Sequence, residues 1–378
     1  MSIEEAADRI ASSEFVRVVA GADADGVSSA ACVCSALSSL GIGYHFTAIE
    51  SPSDVSGSNA DVFCDTGAGY LDGLGDAVVI DHHPPRGKEG FDGVLVGTDA
   101  PSSSVAAYRV ARETGVGAGD PVPALVGAVG DGVSLDDEDV ADVVEDVVEA
   151  GAKKEEGARL VGEDAVEGLA YSTRPFTRLS GDYEGARAFI EDVEDELPTA
   201  LVLLALTEEG PRPEAVEGLV GDIYRLPFGV DIHTLSRYVE ACAVSGKHGL
   251  ALSVCLDATT HIEEARESWR AFGSTVIEKA RGADIEGGTD GRPAFALTEG
   301  SFDTGVLADV LYDWVTGDVV VVNERGEASF RARSFDCGRL ARETASSVGG
   351  EGGGHPSRAG ASFDVSQDEF VSAVRRTL

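Results

Sequence analysis

Residues Ala77–His83 read AVVIDHH, a short apolar run that ends in an aspartate and two adjacent histidines. The run has no polar alternation, which is the pattern of a parallel strand buried on both faces. Similar runs stand at Val16–Ala20, Asp61–Cys64 and Val94–Val96. Between them lie segments at helical spacing: Val27–Leu40, which stops at Gly41, then Ser103–Thr114 and Pro123–Gly130. Strands alternating with helices predict an α/β domain built on a parallel sheet.

Ligands of such sheets gather at the carboxyl ends of the strands. Asp23-Ala24-Asp25-Gly26 follows the first run, Asp65-Thr66-Gly67 the second and Asp81-His82-His83 the third; Gly130-Asp131-Gly132 closes the apolar run ending at Val129. Taken singly, a DxDG is often a turn or helix cap, and Gly-Asp-Gly a loop. Two adjacent histidines in a chain with only seven are harder to dismiss. Carboxylates with imidazole and no thiolate suit Mn²⁺ or Mg²⁺. A shared carboxylate such as Asp65 can bridge two ions, and a pair of ions clamps a phosphoryl group and activates water for in-line attack.

The chain has 378 residues, which predicts two domains. Asp and Glu number 67 against 29 Lys and Arg, a formal net charge of −38. Such a surface repels itself at low salt and suits a cytoplasm of very high ionic strength, where screening lengths fall to ~3 Å. The composition therefore points to a halophilic protein, and net charge no longer argues against a nucleic-acid partner. The six cysteines form no CxxC pair and read as buried, reduced thiols. The opening MSIEEAADRI has no apolar core, so neither a secretory signal nor a membrane span is expected, and the expected location is cytoplasmic.

Further along, Leu135–Lys154 reads as a long acidic helix and Gly157–Gly181 as a mixed connection, with Val202–Ala205 and Leu219–Leu226 unplaced. Gly249–Leu256 reads as a strand, His261–Arg281 as a helix, and Val306–Val315 as a helix stopping at Gly317. Val319–Asn323 and Ala328–Arg333 read as a hairpin, with Ser329, Arg331 and Arg333 on one face. Arginines there can fork a phosphate. Gly352-Gly353-Gly354-His355 reads as a glycine-rich loop whose backbone N–H groups approach a phosphate.

The segments DADG (Asp23–Gly26), DTG (Asp65–Gly67), DHH (Asp81–His83), GD (Gly130-Asp131) and GGGHPSRAG (Gly352–Gly360) together resemble the DHH phosphoesterase family, in order and spacing. LAYSTRPFTRLSG at Leu169–Gly181 and VEACAVSGKHGLALSVCL, within His233–Leu256, are most similar to the archaeal RecJ-like group. The resemblance implies a DHH domain over residues 1–165, a connecting helical region over 166–229 and a smaller α/β DHH-associated domain over 230–378, with substrate in a cleft between the domains. It implies Asp23, Asp25, Asp65, His82 and Asp131 as ligands of two Mn²⁺ or Mg²⁺ ions. Asp81 and His83 would orient the ligands or contact the phosphate. Arg331, His355 and Gly352–Gly354 would hold the phosphate. The implied activity is hydrolytic trimming of single-stranded DNA or RNA.

Two departures stand out. Family members often carry a histidine shortly before the first aspartate, where this chain has Val19 and Gly21. Their Asn-Ala-Cys-Gly-Arg segment reads Glu240-Ala241-Cys242-Ala243-Val244 here, without the arginine. Three functions follow: an exonuclease on single strands, an oligoribonuclease or nucleotide phosphatase on short substrates, or a weakened subunit that binds replication or repair proteins.

Overall fold

A computed structural model describes residues 2–50, 55, 60–87, 90–116, 119–193, 196–208, 210–288, 292–300 and 304–378. The chain forms two compact units: residues 1–156 with 222–269, and residues 157–221 with 270–378.

The first unit opens with α1 (Ile3–Ala11), β1 (Phe15–Gly21), α2 (Ala24–Leu40) and β2 (Gly43–Ile49). The strands β3 (Val62–Cys64), β4 (Val78–Ile80) and β5 (Val94–Val96) follow, then α3 (Ser103–Glu113), α4 (Val122–Gly130) and α5 (Ala141–Glu149). Five strands form one all-parallel sheet in the order β2-β1-β3-β4-β5. Every residue of β3 and β4 is buried, as the unbroken apolar runs predicted. Helix α2 begins where the Asp23 carboxylate accepts from Gly26 N and ends on Gly41 in the left-handed conformation. Its small residues let it sit in the core, and Ala30, Ala31, Cys34 and Leu37 are fully sealed.

The chain then runs through β6 (Lys153–Ala158), α6 (Ala165–Tyr171), α7 (Tyr183–Val193), α8 (Leu197–Leu206), α9 (Pro213–Glu217) and β7 (Val220–Arg225). Strands β6 and β7 pair, and the chain changes unit within each of them. Next come α10 (Ile232–Val244), α11 (His248–Leu256) and the 25-residue α12 (Ala258–Gly282), within which the chain changes unit again. The segment 222–269 thus belongs to the first unit, although it extends past residue 230, where the resemblance placed a new domain.

The second unit continues with β8 (Asp284–Gly287), β9 (Ala294–Thr298), α13 (Thr304–Leu311), β10 (Val319–Asn323) and β11 (Glu327–Arg331). It ends with α14 (Cys337–Ser347), β12 (Glu351–Gly354), β13 (Arg358–Ser362) and α15 (Gln367–Thr377). Its sheet has six strands in the order β12-β13-β11-β10-β9-β8. Val320, Val322, Phe330, Leu340 and Phe370 fill one side of it, and Leu307, Val310, Val319 and Val321 the other.

Four local expectations change. Gly249–Leu256 is helical, not a strand, because a short apolar run has no period that separates a buried helix from a strand. Leu135–Lys154 is not one helix: α5 ends at Glu149, Gly151 turns with φ 110, and Lys153 starts a strand. The strand expected through Arg333 ends at Arg331. Gly352–Gly354 is strand rather than loop. A Cβ at Gly352 would lie 2.5 Å from the Ala341 carbonyl oxygen, so the glycine is required by close packing of β12 on α14. All six cysteines are free and buried, as expected.

Among the described residues, no helix is long and apolar enough to cross a membrane. With a net charge of −38 on this fold, self-repulsion opposes compaction until salt screens it. The melting temperature should therefore rise steadily from 0.1 to 2 M KCl in a thermal scan. A flat or falling profile would refute adaptation to high salt.

Candidate metal centre

In a 2-1-3-4-5 sheet the connections reverse direction between β1 and β3, and the crevice at that switch point receives ligands. Asp23 follows β1, Asp65 follows β3 and Asp81 follows β4. Asp131 caps the C-terminus of α4, the helix expected over Pro123–Gly130, and so follows a helix where the others follow strands. A carboxylate at that end of a helix faces the negative pole of the helix dipole, so its charge calls for a cation.

The side chains converge. One ligand atom each from Asp25, His82 and Asp131 lies within 4.8 Å of the others, and the same holds for Asp65, Asp81 and His83. His82 Nε2 stands 3.5 Å from Asp131 Oδ2 and 3.6 Å from Asp65 Oδ1. His83 Nδ1 stands 3.6 Å from the same Asp65 oxygen, so Asp65 is shared between the two groups. Asp23 belongs to neither trio and caps α2, although its charge still reaches Asp65.

Each buried carboxylate has an assigned hydrogen-bonding environment. Asp25 accepts from Ser103 N at 2.8 Å and Ser104 N at 3.0 Å, the first amides of α3. A helix N-terminus stabilises this charge. A Cβ at Gly127 would stand 2.7 Å from Asp25 Oδ1, so α4 approaches this closely only because residue 127 is glycine. Asp65 accepts from Ser103 Oγ at 2.8 Å, and Ser103 Oγ accepts in turn from His82 N at 3.0 Å. Asp65 is also the one non-glycine among the described residues with positive φ, at 54°. Such backbone strain costs about 1–3 kcal/mol and persists where the surroundings enforce it.

Asp81 accepts from Ala68 N at 2.8 Å, from His83 N at 3.0 Å and from His83 Nδ1 at 2.8 Å. This is the environment of an orienting group. Burial pushes the Asp81 carboxyl up most, but the His83 bond and charge, with the His83 and Ala68 amides, together outweigh it and the net shift is downward. For His83, burial is the largest influence and works against the charged ring, yet the Asp81 bond and the charges of Asp81, Asp23 and Asp131 together outweigh it and the pKa rises to about 9. Burial lowers the pKa of His82 and keeps its ring neutral and ligand-competent. Asp65 is driven well above the usual carboxylate range, first by burial and then by Asp23, Asp25, Asp81 and Asp131. A hard donor set whose charges repel when bare fits a divalent cation.

Sequence reading missed three participants. Ser103 and Ser104 join three sites at once, and their one signal was the Ser-Ser-Ser run at a helix start. Glu240, read as a departure, bonds through its carboxylate to Ala24 N at 2.6 Å, between Asp23 and Asp25. Gly21 faces the same centre: a Cβ there would lie 3.4 Å from Asp65 Oδ2 and 3.7 Å from Asp23 Oδ1.

The remaining expected residues lie in the second unit. Arg331 Nε donates to Asp309 at 2.5 Å, while Ser329 pairs with Thr304 and Arg333 with Glu214. His355 follows β12 directly, and its carbonyl accepts from Gly338 N at the start of α14.

Comparison with known proteins places these features. Residues 305–378 match the DHHA1 domain. An uncharacterized protein of Haloarcula marismortui is 28% identical over 290 residues, 73% of this chain and 76% of that protein. One from Methanocaldococcus jannaschii is 23% identical, over 96% of this chain and 92% of that protein. RecJ from Thermus thermophilus in complex with Mn²⁺ superposes over 99% of this chain with TM-score 0.59 at 17% identity. The chain spans about half, 54%, of that RecJ. Exonuclease RecJ bound to manganese gives TM-score 0.54 at 17% identity, with 100% of this chain and 93% of that one covered. CDC45 from Entamoeba histolytica gives 0.63 at 10% identity, with 100% and 98% covered. The DHHA1 match and the RecJ-like fold agree with the DHH resemblance and with an α/β fold that has a parallel sheet in its N-terminal part.

Two outcomes test the centre. The Asp65 pKa is raised, so its stabilising contribution is complete below the unfolded value near 4 and is lost as pH rises toward the folded value. At neutral pH without metal, Asp65→Asn should therefore raise the melting temperature by ~2–4 °C per kcal/mol of relieved repulsion, while removing the gain that Mn²⁺ gives wild type. An unchanged Mn²⁺ gain in the variant would refute the assignment. Ser103→Ala should weaken Mn²⁺ binding about 10–100-fold by calorimetry, the usual cost of losing an outer-shell partner; equal affinity would count against the network.

Proposed function

We propose, on the premise of a chain with a DHHA1 domain and a RecJ-like fold, that this protein is a divalent-metal-dependent phosphodiesterase that trims single-stranded DNA or RNA. One observation carries the reading: Asp25, His82 and Asp131 on one side, and Asp65, Asp81 and His83 on the other, share Asp65 as their common neighbour. RecJ structures hold Mn²⁺. The same cation, or Mg²⁺, suits this donor set, and two ions suit two trios. Bound there, such ions polarise the phosphoryl oxygen and lower the pKa of water.

The chain's own groups perform the rest. Asp25, His82 and Asp131 hold one position, and Asp65 links it to the other. Ser103 fixes Asp65 and the His82 backbone with a single hydroxyl. Asp81 orients His83 through the 2.8 Å bond to its Nδ1 and so fixes the ring beside Asp65. The cytoplasm of a halophilic archaeon is the setting that the charge balance suits.

A second reading, a subunit that binds replication or repair proteins, is favoured by Val244, which stands where the RecJ-like segment that this stretch resembles ends in an arginine. An assay in molar KCl with Mn²⁺ decides between the two. It compares labelled single-stranded DNA, single-stranded RNA and a dinucleotide, with Asp81→Ala as control. Wild type should release mononucleotides, and His82→Ala should lose about a hundredfold or more, beyond the cost of an outer-shell change. Turnover no greater than the control on all three substrates would sink the enzymatic reading. Turnover of the dinucleotide alone would restrict it to short substrates.

A further inference from the structure

Arg331, expected from sequence to fork a phosphate, is already engaged. Its Nε donates to Asp309 Oδ1 at 2.5 Å, its Nη1 to the Phe330 carbonyl at 3.1 Å and its Nη2 to the Gly305 carbonyl at 3.1 Å. Its side chain is only 12% exposed. Two further arginines reach the same aspartate. Arg358 Nη2 lies 3.6 Å from Asp309 Oδ1, and Arg174 Nη2 lies 3.3 Å from Oδ2 and 4.0 Å from Asp313. Both are more exposed, at 38% and 30%.

The register makes this grouping costly. Arg331 on β11 and Arg358 on β13 are direct cross-strand partners, and like charges in that relation repel. Among the described residues, three guanidinium groups gather at Asp309 and one of them also reaches Asp313, so positive charge is in excess. The Arg358 guanidinium lies 3.6 Å from Asp309, too long for a hydrogen bond, and reaches Asp313 by charge alone. Asp309 is held far below the usual carboxylate range: burial raises it, but Arg331, Arg358 and Arg174 together bring it down. The aspartate is therefore a fixed anion that gathers the arginines without neutralising them.

We infer that Arg174 and Arg358 are the phosphate-gripping pair of the second unit, and that Arg331, locked to Asp309, is the positioning residue that gathers them. The ligand is a phosphodiester oxyanion, which planar guanidinium forks fit by geometry as well as charge. This rests on the proposed phosphodiesterase reading only in taking that phosphate to be the substrate's.

The test is binding without turnover. Full-length wild type, Arg174→Ala, Arg358→Ala and Arg358→Lys are titrated in EDTA and fixed KCl against a fluorescein-labelled pentathymidylate, read by anisotropy. Each alanine variant should raise Kd about tenfold, the size expected for one charge-assisted bond. Arg358→Lys keeps the charge beside Asp309, so it preserves folding, and it should still lose about threefold because the fork is gone. Kd within twofold of wild type in folded Arg358→Lys and in whichever alanine variants melt cooperatively would overturn the inference. Wild-type hydrolysis with Mn²⁺ separates the two claims. Weakened binding in the variants with no wild-type turnover sinks the phosphodiesterase reading and leaves the inference standing. Normal turnover with unchanged KM in the variants sinks the inference alone.

Discussion

Five carboxylates, Asp23, Asp25, Asp65, Asp81 and Asp131, press on one another at the switch point of a parallel sheet, and most of the first unit's local structure answers that repulsion. Burying a charge is expensive unless it is paired or hydrogen-bonded. Asp25 is met by the amide pole of α3, Asp81 by a backbone amide and His83, and Asp65 by Ser103. What remains uncompensated is centred on Asp65, between His82 and His83. The protein neutralises the periphery and leaves charge at the centre, as a cation site requires.

The packing serves the same end. Helix α4 approaches Asp25 closely because position 127 is glycine, and α10 sends Glu240 to the loop that carries Asp23 and Asp25. The second unit shows the converse problem, an excess of positive charge. There, one buried aspartate holds three arginines, two of them on directly opposed strand positions. Both clusters are incomplete in charge, with opposite sign, which is the electrostatic signature expected of a site for a metal and a site for a phosphate.

Much of the centre was legible in the chain. Unbroken apolar runs marked β3 and β4, and the residues following β1, β3 and β4 carried the aspartates and histidines that converge. Legibility failed where period or context was missing. Gly249–Leu256 is too short and too uniformly apolar to show a helical period, and it proved to be a helix. The glycines at 352–354 suggested a loop open to a ligand, yet Gly352 packs tightly on α14. A residue type reports what is sterically allowed and leaves open which neighbour requires it.

By itself, the sequence determined the parallel-sheet architecture of the first unit, the identity of the candidate ligands and the acidic surface, because hydrophobic runs and charge totals are properties of the chain. Only the tertiary structure decided how those groups are held. Ser103 joining Asp65 to His82, Glu240 reaching Ala24, and Asp309 gathering Arg174, Arg331 and Arg358 all pair residues from 21 to 216 positions apart. Such pairings arise when helices and strands pack, and no local pattern encodes them.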